Sequence, residues 1–373
     1  MKKIIIVTRN FPPLWGGMER LNLHLVEEIS RRHEVCLLAP EGAAEHVSHI
    51  NARLVQVPGK PLSKFLLKSA WRALQKARAW KPDIILAGSG LTAPAALIAA
   101  RACGARAIAY THGLDLAVSH PVYRAFWRPT LRRLDGVIAN SQATAKLAET
   151  IGIAPERIAI VHPGVDLPVP DPDARARFRQ AHQLGDGPLM LSVGRLTSRK
   201  GLREFVSDVL PLIVTRFPGA QLVVIGDAPS DSLYAHVQSP RSIEAAAKIH
   251  GVENNLRFLG KRFGNELSDA YAGADLHVFP VRHLPDDPEG FGMVAVEAAA
   301  HGLATVAYAT GGVVDAVGEG ESGCLVPSGD ARAFADKVIA LLEQGLPQTR
   351  VRQFAEQFAW PLFGEKILAT FDS

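Results

Sequence analysis

Residues Pro188-Leu-Met-Leu-Ser-Val-Gly-Arg-Leu-Thr-Ser-Arg-Lys-Gly201 hold the fold in miniature. An apolar run of strand length meets a glycine, then a short polar loop, then a helix start, which is the strand-to-helix step of a parallel sheet. That step recurs along the whole chain. Ahead of it come strand-like runs at Lys3 to Thr8, Glu34 to Ala39, Arg53 to Val57, Asp83 to Ala87, Arg106 to Thr111, Asp135 to Asn140 and Arg157 to His162. Behind it come Ala220 to Gly226, Asn255 to Gly260, Asp275 to Pro280, Ala304 to Tyr308 and Gly323 to Val326. Helix-length segments separate them, so the expectation is α/β with parallel sheets covered by crossover helices.

The series breaks once, at Pro163-Gly-Val-Asp-Leu-Pro-Val-Pro-Asp-Pro172, where closely spaced prolines exclude helix and favour an extended tether. A chain of 373 residues also exceeds what one core usually supports. Two doubly wound, Rossmann-like domains are expected, residues 1–170 and 171–356. A closing helix of about 357–373 is expected to dock back on the first, because Phe358-Ala-Trp-Pro-Leu-Phe-Gly364 is too aromatic for a loose tail. Ligands of open parallel sheets bind beyond the carboxyl ends of the strands, so two such domains are expected to face an interdomain cleft.

Composition narrows the function. Hydrophobic residues make up 47% and charged residues 21%, which excludes disorder. Cys36, Cys103 and Cys324 show no metal-ligand spacing and fit a reducing, cytoplasmic compartment. The apolar run after Lys2-Lys3 is too short for a signal peptide, and Arg101 and Arg106 interrupt Leu91 to Tyr110, so membrane contact is expected to be peripheral at most. The net charge of +4 conceals an asymmetry: residues 1–170 carry 22 Lys+Arg against 12 Asp+Glu, a balance of +10, which leaves −6 for the remainder.

Three loops carry candidate chemistry. Arg9-Asn-Phe-Pro-Pro-Leu-Trp-Gly-Gly-Met-Glu19 follows the first strand, and Gly16 and Gly17 allow close backbone approach to an anion at the helix start. The same two glycines read equally well as a tight connection, and the three-glycine dinucleotide fingerprint is absent. Arg195 and Lys200 supply a planar fork and a point cation where a diphosphate would sit, without a divalent metal. Glu289-Gly-Phe-Gly-Met-Val-Ala-Val-Glu297 places two glutamates around a glycine-rich helix start. That arrangement suits a phosphate at the helix amides, one carboxylate near a sugar and the other on ribose hydroxyls.

Taken in order, Phe11-Pro-Pro-x-x-Gly-Gly-x-Glu19, Thr111-His-Gly113, Asn140-Ser141, Pro163-Gly-Val-Asp166, Gly194-Arg-Leu-x-x-Arg-Lys-Gly201, the Glu-x7-Glu segment and Gly311-Gly312 resemble the family 4 retaining glycosyltransferases of GT-B fold. Among these the chain looks most like bacterial enzymes similar to phosphatidylinositol mannoside mannosyltransferases. The resemblance implies transfer of a hexose, with mannose from GDP-mannose as best guess, to a lipid-linked or glycan acceptor, with the nucleotide sugar as substrate and no cofactor or metal. It implies that His112 and Glu289 contact the transferred sugar and Arg195 and Lys200 the diphosphate. By the same resemblance Gly292, Met293 and Val294 offer amides to the phosphates, Glu297 binds ribose, and Arg262 falls where a backbone group reads the base. Ala304 in place of proline, and His162-Pro163 in place of Pro-Asn, depart from the family pattern away from the reacting groups. A nucleotide-sugar 2-epimerase of the same fold and a non-catalytic nucleotide-sugar sensor are the rival readings.

Asp286-Asp287 is read as a solvated loop, and His24, His33, His46 and His49 as structural or exposed rather than metal-binding. No segment shows the pattern of a nucleic-acid module. In Ser63 to Trp80, Lys64, Lys68, Arg72 and Lys76 recur every four residues opposite an arc of Leu66, Leu67, Ala70, Ala73, Leu74 and Ala77, with Phe65, Trp71 and Trp80 at the borders. This is either a crossover helix with solvated charges or an attachment to an anionic membrane, on the inner face of the plasma membrane.

Overall fold

The computed structural model describes residues 1–228 and 237–372. It forms two compact units, Met1–Gly164 with the residues from Trp360 onward, and Val165–Ala359. In the first unit the strands are β1 (Lys3–Val7), β2 (Glu34–Pro40), β3 (Ala52–Val57), β4 (Ile84–Ala87), β5 (Arg106–Thr111), β6 (Gly136–Ala139) and β7 (Ile158–Ile160). They build one parallel sheet in the order β3-β2-β1-β4-β5-β6-β7. β1 pairs with β2 and β4, and its run Ile4-Ile5-Ile6-Val7 is wholly buried, as a central strand covered on both faces requires.

The second unit holds β8 (Leu189–Val193), β9 (Gln221–Ile225), β10 (Leu256–Gly260), β11 (Leu276–Phe279), β12 (Thr305–Tyr308) and β13 (Gly323–Val326), in the order β10-β9-β8-β11-β12-β13. Alternation along each strand feeds two cores. Met190, Leu222, Val224, Val278 and Val306 point into one, while Leu189, Leu191, Val193, Val223 and Ile225 point into the other. Each sheet reverses its strand order once, between β1 and β4 and between β8 and β11. Those are the switch points where crossovers leave on opposite sides and a ligand can enter.

The chain returns to the first unit in the helix Trp360–Ala369, which packs on Gly17–Ser30. Trp360, Phe363 and Ile367 are buried, and the Trp360 indole stacks on the His24 ring with centroids 3.9 Å apart. Gly364 permits the close approach, since a Cβ there would lie 2.8 Å from the Glu28 Cβ. At the other crossing Gly164 lies flat against Trp360, where any side chain would collide with the indole. Glu27 bonds both His24 (2.7 Å) and His49 (3.0 Å), so both histidines have structural partners.

The helix Leu62–Trp80 corrects the expected arc. Its buried stripe is Phe65, Ser69, Ala73 and Ala77, while Leu67 is 74% and Trp71 52% exposed. The reason is close packing of small residues. Ala73 and Ala77 share a core with Ala95, Ala96, Ala99 and Ala100 of the helix Ala93–Arg101, and two helices faced with alanine approach more closely than leucines allow. Ser69 joins the stripe because its Oγ donates to the Leu66 carbonyl (3.1 Å) and leaves no polar group unpaired.

Phe65→Ala should therefore cost about 3 to 5 kcal/mol of stability, whereas Leu67→Ala should change it by roughly 0.5 kcal/mol or less. Urea denaturation of both variants checks this, and equal losses would restore the leucine-facing arc.

Candidate active site

Both switch points carry the residues singled out above. In the first unit, β5 ends at Thr111 and the chain turns at Gly113, whose φ of +82° suits glycine. The turn is fastened by Asp115, whose Oδ2 accepts from the Gly90 amide (2.9 Å) and the His112 amide (3.2 Å). The His112 ring is buried, and its Nε2 donates to the Gly88 carbonyl after β4 (3.0 Å). In the neutral ring that bond leaves Nδ1 as the acceptor. Asn22 Nδ2 donates to the same carbonyl (3.2 Å), tying β4 to the Gly17–Ser30 helix.

Gly16 and Gly17 stand at the start of that helix, as the sequence places them. The anion position beside them is partly taken: a Cβ on Gly16 would lie 2.5 Å from the Glu19 Oε2, and Glu19 Oε1 accepts from Asn10 Nδ2 (2.9 Å). The helix thus carries its own carboxylate at its positive end.

The second unit assembles a denser set. After β8, Gly194, at φ +145°, donates to the Ile225 carbonyl (2.9 Å), and a side chain on Gly226 would collide with the Gly194 carbonyl. The 3₁₀ turn Ser198–Lys200 follows, closed by Gly201 at φ +67°, where a Cβ would meet the Pro280 carbonyl at 2.1 Å. This seats Lys200 beneath the end of β11. Its Nζ lies 4.6 Å from the Phe279 ring centre and 2.7 Å from Glu289 Oε2, with both side chains largely buried. Arg195 is exposed on the same loop.

Glu289 is held by its main chain as well. Its carbonyl accepts from the Gly312 amide (2.9 Å), and side chains on Gly311 or Gly312 would collide with the Glu289 and Gly290 carbonyls. That is the physical reason for the paired glycines. Burial alone would raise the Glu289 carboxyl, but Lys200, Arg199 and Arg195 outweigh it and hold it at about 2. Burial pulls the Lys200 ammonium below its ordinary value, and Glu289 opposes that pull. His277, wholly buried on β11, is pushed down to about 3 by burial and by Lys200, so it stays neutral beside the pair.

Gly292 at φ +101° opens the helix Met293–Ala300, with Met293 and Val294 in its first turn and their amides unpaired within the helix. Glu297 lies one turn in, and its Oε2 accepts from the Tyr271 hydroxyl (3.0 Å). Tyr271 stacks on His301, whose ring meets Ser268 Oγ (2.9 Å) and the Glu297 carbonyl (2.8 Å). Arg262 stands apart, after edge strand β10, with Nη1 on the Lys261 carbonyl (2.9 Å) and Nε 3.6 Å from Glu266.

The structure thus brings Lys200, Glu289 and the Gly292 helix start together in the second unit, and places His112 at the switch point of the first. Asp287 corrects the sequence reading, since it accepts from Arg199 Nη1 at 2.6 Å with both side chains largely buried. Arg199, Tyr271 and His301 were also missed; only Arg199 had a signal, its place in the Arg-Lys-Gly loop.

Comparison with known proteins decides the family. Residues 187–344 match the family described as Glycosyl transferases group 1, and residues 15–168 match Glycosyltransferase Family 4. The GDP-mannose-dependent alpha-(1-6)-phosphatidylinositol monomannoside mannosyltransferase of Mycolicibacterium smegmatis is 32% identical over 352 residues, 91% of this chain and 89% of that one. The chain belongs to glycosyltransferase family 4. It is a glycosyltransferase, and its two doubly wound domains are those of the GT-B fold. D-inositol 3-phosphate glycosyltransferase 1 of Catenulispora acidiphila is 31% identical over 78% of this chain and 72% of its own length. Among solved structures, the HepE protein of Anabaena in complex with UDP superposes with a TM-score of 0.81 over the full length of both chains at 20% identity, a likeness of fold.

Glu289→Gln should lower the stability of this glycosyltransferase by about 3 kcal/mol at pH 7, because it leaves Lys200 a buried charge without its carboxylate. The folded pKa lies below the unfolded one, so the contribution is full above about pH 5 and lost as pH falls toward 2. Denaturation of wild type and variant from pH 7 to pH 3 should show the gap narrowing; a gap independent of pH would mean Glu289 is not held ionised.

Proposed function

We propose that this enzyme transfers mannose, with retention and without a metal, from GDP-mannose to a lipid-linked acceptor. The observation that carries the reading is the buried Lys200–Glu289 pair beside the Gly292 helix start, at the switch point of the second unit. Arg195, Arg199 and Lys200 against Asp287 and Glu289 leave a surplus positive charge, which suits a diphosphate when the helix amides join it. In this reading Lys200, Arg195 and the Met293 and Val294 amides bind the diphosphate. Glu297, oriented by Tyr271, takes the ribose hydroxyls, and Glu289 and His112 take the sugar. The likeness to the GDP-mannose-dependent relatives supports the donor. Retention and proton acceptance by the donor phosphate are carried over from the family.

The donor reading is tested by thermal shift with GDP-mannose, UDP-glucose and ADP-glucose, repeated in excess chelator. GDP-mannose at a hundred times its Kd should add about 2.7 kcal/mol with and without chelator. Preference for another sugar sinks the mannose reading, and a strict requirement for magnesium or manganese sinks metal independence.

The relatives divide between a lipid and a soluble inositol phosphate acceptor, and the surface of the first unit favours the lipid. The helices Leu62–Trp80, Ala93–Arg101 and Pro121–Arg132 lie side by side over one core and carry nine Lys or Arg and no Asp or Glu. Leu67, Trp71, Ile98, Val122 and Phe126 are exposed on them, and Arg72 and Lys68 flank the Trp71 ring at 4.7 and 5.7 Å. Basic and aromatic residues interleaved on one face suit the headgroup region of an anionic membrane, on its cytoplasmic side. No described helix is long and apolar enough to cross a membrane. Lys64, Lys68 and Arg124 changed together to glutamine should weaken binding to anionic liposomes roughly a hundredfold, at about 1 kcal/mol per charge, and leave donor binding intact. Wild type that does not prefer anionic over neutral liposomes at low salt would turn the acceptor reading to the soluble inositol phosphate.

A further inference from the structure

We propose that Arg199 is a positioning residue that clamps the loop bearing Glu289, with Asp287 as its counter-charge. The side chain fastens one end of that loop: Nη1 donates to Asp287 Oδ1 (2.6 Å) and to the Pro288 carbonyl (3.2 Å), while Nε lies 3.3 Å from Glu289 Oε2. The main chain fastens the other end, where the Arg199 carbonyl accepts from the Arg282 amide (2.8 Å). Glu289 therefore sits between Arg199 on one side and the Gly311-Gly312 backbone on the other.

Arg199 differs from Arg195, which is exposed on the same loop after β8. The Arg199 side chain is 11% exposed, and its Nη1 is directed at the Asp287–Pro288 segment of the Glu289 loop. One nitrogen of the rigid guanidinium, Nη1, bonds the carboxylate and the carbonyl while another, Nε, is held toward Glu289; a lysine offers a single nitrogen and cannot occupy both positions. Asp287 offsets the added positive charge, so that Arg199 orients Glu289 without binding it as tightly as Lys200 does. A loop between β11 and the Gly292 helix start would otherwise leave the carboxylate free over a range wider than a reacting geometry tolerates.

This role rests on the assignment of Glu289 to the sugar, and the test separates the two. Full-length wild type, Arg199→Ala, Arg199→Lys, Asp287→Ala, the Arg199→Ala/Asp287→Ala pair and Glu289→Gln are compared by GDP titration calorimetry. Turnover is read as nucleotide release when water replaces the acceptor. The substrate is GDP-mannose, or whichever of the three nucleotide sugars above wild type cleaves. Arg199→Ala should slow turnover at least tenfold with GDP affinity within threefold of wild type. Arg199→Lys should recover part of the rate, and the double variant should be no slower than the worse single one. If Arg199→Ala does not fold, Arg199→Lys and Asp287→Ala carry the comparison, each slowed at unchanged GDP affinity. Turnover within twofold of wild type in folded Arg199 variants overturns the clamp, as does a matching loss of GDP affinity, which would make Arg199 a phosphate ligand. Additive losses remove Asp287 as the partner and overturn the clamp as stated. Glu289→Gln as fast as wild type, or a wild type that cleaves none of the three sugars, sinks the sugar role first and the clamp with it.

Discussion

Two opposite charges taken out of water 2.7 Å apart set the terms for the rest of the second unit. Neither Lys200 nor Glu289 is tolerable alone at that depth, because desolvation of an unpaired ion costs several kcal/mol. Together they require two loops, from the ends of β8 and β11, to meet without side chains between them. Gly201 against Pro280 meets that requirement, and Gly311-Gly312, in the loop after β12, let a third segment close on the Glu289-Gly290 main chain. The glycines are conditions for burying the pair, and the parallel sheet is the frame that puts both loops at one edge. A site with this much buried charge is ready for an anion, since much of the desolvation has already occurred on folding.

The strands were legible because each is a short apolar run bounded by glycine, proline or polar residues, and burial on both faces leaves little freedom in the pattern. Every strand from β1 to β13 falls on a run marked in the sequence, shifted by a residue or so at the ends. What could not be read was partnership across long separations. Arg199 and Asp287 are 88 residues apart and Tyr271 and Glu297 26 apart, and nothing in local spacing says that either pair meets. Asp287 next to Asp286 looks like a solvated acidic turn until the loop brings it to a buried guanidinium. Glu289 and Glu297 were visible only as a motif, because their supports, Lys200 and Tyr271, lie on other elements.

The Leu62–Trp80 helix shows a different limit. Periodicity ranks faces by hydrophobicity, so it favoured the leucines, whereas the sheet favoured Ser69, Ala73 and Ala77 because small side chains let a second alanine-rich helix pack close. Leu67 and Trp71, left outside, then become surface, the tryptophan flanked by Lys68 and Arg72. The same feature that defeats the periodicity argument thus produces the exposed apolar and basic ridge, and the absence of acidic residues from the two neighbouring helices extends it.

The closing helix makes the first unit discontinuous in sequence, and this has a consequence for biosynthesis. The Gly17–Ser30 helix waits for Trp360, Phe363 and Ile367 until all of Val165–Ala359 has been translated. At roughly 5 to 20 residues per second that interval is on the order of 10 to 40 s. The second unit has every strand of its own sheet before the first has its last helix, so it can finish folding earlier although it is made later. During that interval the His24 and Glu28 side of the Gly17–Ser30 helix stands without the element that covers it in the finished fold, so this flank is the last part of the first unit to be closed.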